Sequence, residues 1–220
     1  MRLLVFLLAA VSLYCCTARN TARTDKNETG NVSVSAPDSS YMFDGATLEG
    51  WEITNFGPQG PVYVSGGSII LGMGEGCTGI TWKNEFPETN YRVNLEAKRV
   101  SGNDFFCGIT FPVGKDPCSL IIGGWGGPIV GLSSIDRKDA SENETTRLMR
   151  FESDRWYEIC LTVTGDTIKA YIDDVLIIDF AKGNKTLSIR PEVELSKPFG
   201  IASWNTTAAL RNIRFEKFKY

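Results

Sequence analysis

The chain has 220 residues with 23 basic and 26 acidic side chains, so its formal charge at neutral pH is −3, and it contains no histidine. The lack of histidine excludes Ser-His-Asp and Cys-His catalysis and removes the usual zinc and iron ligands. The basic residues are scattered rather than clustered, so we expect no nucleic-acid partner.

The N-terminus has the layout of a secretory signal peptide. Residues 1–18 contain an apolar run, Leu3 to Leu13, which is too short to span a bilayer as a mature helix. Two processing routes remain open. Either the signal is cleaved after Ala18, or Leu13-Tyr14-Cys15-Cys16 acts as a bacterial lipobox and Cys16 carries a lipid that attaches the protein to a membrane. Both routes predict an extracytoplasmic protein, secreted or anchored in the cell envelope.

A polar segment and then a β-rich segment follow the signal. Residues 19–40 lack apolar periodicity, so they cannot bury enough surface to offset the entropy of ordering, and we expect a flexible linker. Residues 41–220 suit one domain with a core. They form short strand-like runs separated by Gly, Pro, Asn and Asp, with no helical period. This pattern predicts an all-β domain with two packed antiparallel sheets.

One predicted strand, Tyr91 to Val100, alternates apolar and polar residues over its whole length. One of its faces should pack against the core and the other should meet water. If this strand belongs to a sugar-binding sheet, Arg92 and Asn94 are ligand contacts and Glu96 is a candidate catalytic carboxylate. The plainer alternative, an ordinary solvent face, is the one we favour.

The two cysteines of a predicted hairpin are candidates for a disulfide. Cys107 and Cys118 lie in apolar strands on either side of a turn-rich break at residues 112–117. In an oxidising compartment, facing cysteines on such a hairpin form a bridge. The alternative is two buried free thiols.

The glycine-rich segment Gly123-Gly124-Trp125-Gly126-Gly127-Pro128 is the sharpest local motif. Its glycines remove side chains from around the indole, so a ligand could approach the backbone at Gly124 and Gly126 while a sugar ring stacks on Trp125. Alternatively, Trp125 plugs the open end of a sandwich and the glycines serve bulges and turns.

Carboxylates are the candidate acids, bases and metal ligands of this chain. Asp136, Asp139 and Glu142 follow the glycine-rich segment and could bind calcium. We favour a solvated loop with local charge pairs, and we expect no other cofactor. Asp104 and Asp136 are also candidate catalytic groups with Glu96, but these acids are well separated in sequence and no pair can be assigned.

Three residues near the C-terminus complete the candidate site. Arg190, Glu192 and Trp204 could line the mouth of a cleft together with Trp125. Alternatively, Arg190 pairs with a neighbouring glutamate on a loop surface and Trp204 belongs to the core.

The segment Trp156 to Asp179 reads as consecutive strands joined by the turns Gly165-Asp166 and Asp173-Asp174. With Phe43-Asp44-Gly45 and Asn212-Ile213-Arg214, it resembles the 3-keto-disaccharide hydrolase-like family from about Tyr41 to Tyr220. The resemblance implies a jelly roll like those of concanavalin-A-type lectins and glucanases and of laminin-G-like domains. It also implies a carbohydrate or glycoside ligand and possible cleavage of 3-keto-glycosides. A non-catalytic, lectin-like glycan-binding module and a cell-surface interaction domain are the alternatives.

Overall fold

Short alternating segments build two antiparallel sheets that pack face to face. The computed structural model describes residues 38–218. The predicted signal peptide, Cys16 and the predicted linker up to residue 37 lie outside the described residues. Within residues 38–218, no helix is long and apolar enough to cross a membrane.

The back sheet has eight strands. They are β1 (Asp38–Tyr41), β3 (Val62–Ser65), β4 (Ser68–Leu71), β6 (Tyr91–Gly102), β11 (Tyr157–Thr164), β12 (Thr167–Ile172), β13 (Val175–Ala181) and β15 (Thr206–Lys217). Their order is β13-β12-β11-β6-β15-β4-β3, and β1 also pairs with β15. The long partners β6 and β15 therefore hold the centre of this sheet.

The front sheet has seven strands. They are β2 (Trp51–Ile53), β5 (Cys77–Trp82), β7 (Cys107–Val113), β8 (Asp116–Gly124), β9 (Ile129–Ser133), β10 (Arg147–Leu148) and β14 (Gly200–Trp204). Their order is β10-β9-β8-β7-β14-β5-β2. A 3-10 helix at Pro191–Ser196 contacts β5 and β14.

The core lies between the sheets and follows the period of two in each strand. In β6, every second residue from Tyr91 to Arg99 is buried, and β11 repeats the pattern. Leu120, Leu132 and Ile201 provide the inward side chains of the front sheet. This architecture confirms the all-β sandwich predicted from the sequence.

The structure corrects three local predictions. The strand β1 begins at Asp38, inside the segment assigned to the linker, because it pairs with the end of β15. The sequence pattern of Thr146 to Phe151 predicts one strand, but the strand that forms there spans only Arg147–Leu148. The 3-10 helix was not expected, although Pro191 at its start suits the first turn of a helix.

The predicted Cys107–Cys118 disulfide is wrong in this structure. The two cysteines do lie on the neighbouring strands β7 and β8, but Cys107 faces Ile122 and Cys118 faces Phe111. Strand residues rise by about 3.3 Å each, so this offset of four positions exceeds the reach of a disulfide. Both cysteines, like Cys77 and Cys160, are free thiols.

Candidate functional site

A pocket of about 260 Å³ opens on the outer face of the front sheet. We call it the front pocket, and its walls carry Trp125, Trp204, Arg190 and Glu192. Its volume is slightly below the range of about 300–1,000 Å³ that is typical of small-molecule sites. The pocket is therefore suited to a ligand of a few rings at most.

Small side chains form the floor of the front pocket. Ser119 faces Ser133 across β8 and β9, and both line the pocket. In the next cross-strand row, Ile121 faces Gly108, and the ring of Phe105 lies over that glycine. A Cβ atom on Gly108 would lie 2.9 Å from the Phe105 ring, so only glycine admits the phenylalanine here.

The Trp125 loop, residues 123–127, forms one wall of the pocket. Trp125 is 41% exposed, although tryptophan is a large apolar residue. Trp125 also has a φ of +51°, in the left-handed region that favours glycine. The Asp104 carboxylate accepts hydrogen bonds from the amides of Gly126, at 3.2 Å, and Phe105, at 2.7 Å. The loop is thus tied to a fixed acid that itself lines the pocket.

A buried arginine holds the same loop from its inner side. Nη2 of Arg99 donates to the carbonyl oxygens of Asp104, Gly123 and Gly127 at 3.2, 3.3 and 3.4 Å. Arg99 is only 6% exposed, and its guanidinium lies 5.2 Å from the ring centre of Phe106. Burial lowers the pKa of Arg99 from its usual value.

A charged network forms the opposite wall. Nη1 of Arg190 donates to Asp139 at 2.5 Å, and its Nη2 donates to Glu192 at 2.8 Å. The other oxygen of Asp139 accepts from the hydroxyls of Ser133 and Ser134 at 3.2 and 3.0 Å. The hydrogen bond from Arg190 holds the pKa of Glu192 below its ordinary value. Glu192 is therefore an ionised acceptor at neutral pH.

The remaining wall is aromatic and apolar. Trp204 and Phe105 lie with ring centres 6.4 Å apart and ring planes inclined by 31°. Cys77 faces Trp204 across β5 and β14 and also lines the pocket. Burial raises the pKa of the Cys77 thiol to about 12, so at neutral pH it offers a neutral S–H and not a thiolate nucleophile.

The predicted contacts on β6 lie on the wrong sheet to reach this pocket. Arg92, Asn94 and Glu96 project from the outer face of the back sheet, whereas the front pocket opens on the front sheet. Arg92 pairs with Glu216 at 3.3 Å. Glu96 accepts from Arg211 at 2.9 Å, which occupies the carboxylate proposed as catalytic. Asn94 and Glu96 instead line a second pocket of about 270 Å³ on the outer face of the back sheet.

The candidate metal ligands also separate. Asp139 turns toward Arg190, while Asp136 accepts from the Thr186 amide at 2.9 Å and lies 3.8 Å from Lys185. Glu142 is exposed. Over residues 38–218, no three His, Cys, Asp or Glu side chains are grouped so that they could hold a metal ion. Asp136 does not line the front pocket, so its predicted catalytic role has no support there.

Five residues proposed from the sequence meet in the front pocket. They are Asp104, Trp125, Arg190, Glu192 and Trp204. The adjacent Gly124 and Gly126 shape the loop but do not line the pocket. The sequence interpretation missed Cys77, Phe105 and the clamp formed by Arg99. Of these, only Arg99 could have been found from the sequence, because it is a charged residue at an inward position of the alternating strand β6.

Comparison of the sequence with protein families gave one match. The model of the 3-keto-alpha-glucoside-1,2-lyase-like domain matches residues 38–216 of the chain. This match confirms the family resemblance found from the sequence. A comparison with curated proteins gave no match.

Solved structures with the same fold include carbohydrate-related proteins. The carbohydrate-binding module CBM66 from Bacillus subtilis has a TM-score of 0.54 and 17% identity, covering 81% of this chain and 100% of that chain. The Crh5 transglycosylase in complex with NAG has a TM-score of 0.57 and 12% identity, covering 84% of each chain. A protein with a galectin-like fold from Bacillus subtilis has a TM-score of 0.56 and 13% identity, covering 77% of this chain and 90% of that chain. At sequence identities this low, the structural similarity establishes the fold alone.

Proposed function

The chain belongs to the 3-keto-alpha-glucoside-1,2-lyase-like domain family, and we propose that its front pocket binds a neutral carbohydrate. The observation that carries this proposal is the half-exposed indole of Trp125 in a pocket that also contains Trp204 and a hydrogen-bonding pair, Arg190 and Glu192. Sugar rings present C–H patches that stack on aromatic faces, and their hydroxyls require polar partners nearby. A mostly apolar pocket with a few polar groups meets both needs.

The charges in the front pocket favour a neutral ligand. Asp104 and Glu192 are the acids that line it, and Arg190 is the only base among the lining residues. Both terminal nitrogens of Arg190 already donate to carboxylates, Asp139 and Glu192. Arg190 therefore has no free pair of N–H donors for the carboxylate of an acidic sugar, and Asp104 and Glu192 would repel that carboxylate.

The same acids favour binding over glycoside hydrolysis. Hydrolysis with two carboxylates requires one of them to be protonated, so that it can act as a general acid. Glu192 has a lowered pKa, and both oxygens of Asp104 accept backbone hydrogen bonds. Glu192 is therefore not prepared to donate a proton at neutral pH, and the carboxylate of Asp104 is occupied in holding the Trp125 loop. Among similar folds, a carbohydrate-binding module and a transglycosylase in complex with NAG support a sugar ligand.

Isothermal titration calorimetry tests this proposal with the full-length chain. The neutral panel is glucose, trehalose, sucrose, cellobiose and N-acetylglucosamine, and glucuronic acid is the anionic comparison. We expect saturable binding to at least one neutral sugar and none to glucuronic acid. Tyr63→Ala, a half-exposed aromatic on the back sheet, is the matched control for Trp125→Ala. Equal affinities of the two variants for the bound sugar would reject the front pocket as the site.

Cleavage of 3-keto-glycosides is the second candidate function, favoured by the family and by the Arg190–Glu192 pair. A keto group at C3 acidifies the proton on C2. Removal of this proton by a base, with departure of the oxygen on C1, leaves a C1=C2 double bond and transfers the proton to the leaving group. Glu192 is held ionised and suits the role of the base, while Arg190 holds its carboxylate in place through their hydrogen bond.

Turnover of 3-keto-trehalose separates the two candidates. Release of glucose by the wild-type chain, with loss of release in Glu192→Gln, would support cleavage. Binding of a neutral sugar without release of glucose would support recognition alone. Absence of both signals would leave a surface interaction domain as the remaining alternative.

A further inference from the structure

Arg99 crosses the interior of the sandwich, from the back sheet to the Trp125 loop of the front sheet. Arg99 is the last of the inward-facing residues of β6, a series that begins at Tyr91. Gly123 and Gly127 flank Trp125 where β8 leads into β9. Nη2 of Arg99 donates to both glycine carbonyls and to the carbonyl of Asp104. One side chain therefore fixes both ends of the loop that carries the exposed indole.

Core packing does not account for a charge at this position. An apolar side chain of similar volume would fill the space without the cost of desolvating a guanidinium, and such replacements are often neutral or stabilising. Nε of Arg99 is buried and has no hydrogen-bond partner among the described residues. The feature that an apolar residue could not reproduce is the set of donors aimed at the loop carbonyls.

The loop is shaped to receive this guanidinium. A Cβ atom on Gly123 would lie 2.6 Å from Nη2 of Arg99, so that glycine is required by the close approach. From the other side, the carboxylate of Asp104 accepts the amide of Gly126. Arg99 thus donates to carbonyl groups of the loop, and Asp104 accepts from one of its amides. Trp125 lies between these contacts and has a left-handed backbone conformation.

We propose that Arg99 is the positioning residue of the front pocket: its contacts with the loop carbonyls hold Trp125 in the orientation that stacks on a sugar. This inference rests on the proposed function, but Arg99 touches no ligand itself, because it lies beneath the loop and does not line the pocket. Its removal should therefore reduce affinity through the loop that carries Trp125, and not through a lost contact with the sugar.

The first test compares Arg99→Met with Arg92→Met. The two positions share strand β6 and the same substitution, but Arg92 faces outward and pairs with Glu216. For the tightest-binding sugar of the neutral panel, Arg99→Met should lower affinity roughly ten- to a hundred-fold, as much as Trp125→Ala does, and Arg92→Met should not. In the double variant with Trp125→Ala, Arg99→Met should cause no further loss. Unchanged affinity in Arg99→Met overturns the proposal.

A spectroscopic readout makes the test independent of sugar binding. The chain has five tryptophans, and ¹⁹F NMR of 5-fluorotryptophan protein separates them, with the Trp125 resonance assigned by its absence in Trp125→Phe. Arg99→Met should shift or broaden the Trp125 resonance and leave that of the buried Trp51 in place. If wild type binds no sugar of the panel, the proposed function fails, and this resonance still decides whether Arg99 holds the loop. An unmoved Trp125 resonance overturns the clamp.

Two glycine variants test the same contact without changing the charge. Gly123 and Gly126 have φ values of +81° and +80°, so alanine causes similar backbone strain at both. Only at Gly123 would the new Cβ meet Arg99, since none of the surrounding atoms lies within 4 Å of a Cβ at Gly126. Gly123→Ala should perturb the Trp125 resonance more than Gly126→Ala. If Arg99→Met fails to fold, this comparison decides, and equal perturbation refutes the proposal.

Discussion

Replacement of Trp125 by glycine and by alanine separates what the indole contributes to binding from what its backbone costs the fold. At a φ of +51°, a residue with a Cβ atom is strained by roughly 1 kcal/mol, whereas glycine adopts this conformation without that strain. We therefore expect Trp125→Gly to be more stable than Trp125→Ala by about 1 kcal/mol, the reverse of the usual order of these residues.

The indole itself sets the size of both losses. Trp125 is 41% exposed, so more than half of its surface is covered. A tryptophan offers about 150–250 Å² of surface, and at about 25 cal/mol per Å² the covered part corresponds to at most about 2–4 kcal/mol of stability. Stacking on a sugar should be worth about 1–3 kcal/mol, by analogy with nucleobases, which is roughly a ten- to hundred-fold change in affinity.

Urea denaturation and calorimetry measure the two losses separately. Both variants should lose affinity for the tightest-binding neutral sugar to the same extent, and they should differ in the free energy of unfolding. Tyr63→Ala on the back sheet should lose stability only. The reasoning is refuted if either variant of Trp125 binds as wild type, or if Trp125→Gly is the less stable of the two.

Three further outcomes are expected. The hydrogen bond from Arg190 lowers the pKa of Glu192, so the ionised Glu192 stabilises the folded protein fully above the ordinary pKa of 4.5. This stabilisation is lost as the pH falls through the lowered pKa. The difference in melting temperature between wild type and Glu192→Gln should therefore vanish at low pH. Thiol labelling of native protein should reach the half-buried Cys160 first, and the denatured chain should show no Cys107–Cys118 bridge by peptide mapping. Mass spectrometry of exported protein should show a mature N-terminus after Ala18 or a lipid on Cys16, and an intact Met1 would contradict export.

Much of the fold could be predicted because strand alternation is a local property. The period of two in Tyr91–Val100 and in β11 indicates which residues turn inward, and the turns after Thr164 and Ile172 limit the strands. The sequence does not determine the offset between paired strands, and the Cys107–Cys118 prediction failed for this reason. The hairpin was correct, but its register places the two cysteines four positions apart.

The site was only partly predictable, because its walls come from distant segments. Trp125 stood out through its glycines, and Arg190, Glu192 and Trp204 through their proximity to the final strands. Alternation alone could not assign β6 to the back sheet, so the sequence could not separate Arg92 and its neighbours from the residues of the front pocket. The pocket residue Cys77 had no distinguishing local signal, and its position follows from pairing with Trp204.

Side-chain size explains how the front pocket forms on the outer face of the front sheet. The back sheet carries long charged side chains on its outer face, and they pair across strands, as in Arg92–Glu216 and Arg211–Glu96. The front sheet instead presents small residues on this face, with Gly108 paired to Ala202 and Ser119 paired to Thr110, so segments from outside the sheet can lie directly on it. Those segments, the Trp125 loop and the 3-10 helix, leave a gap between them, and the front pocket is that gap. Enlarging the floor should therefore reduce binding more than any charge change on the back sheet. Ser119→Leu should abolish sugar binding, and Glu96→Gln should leave it unchanged in the same titration.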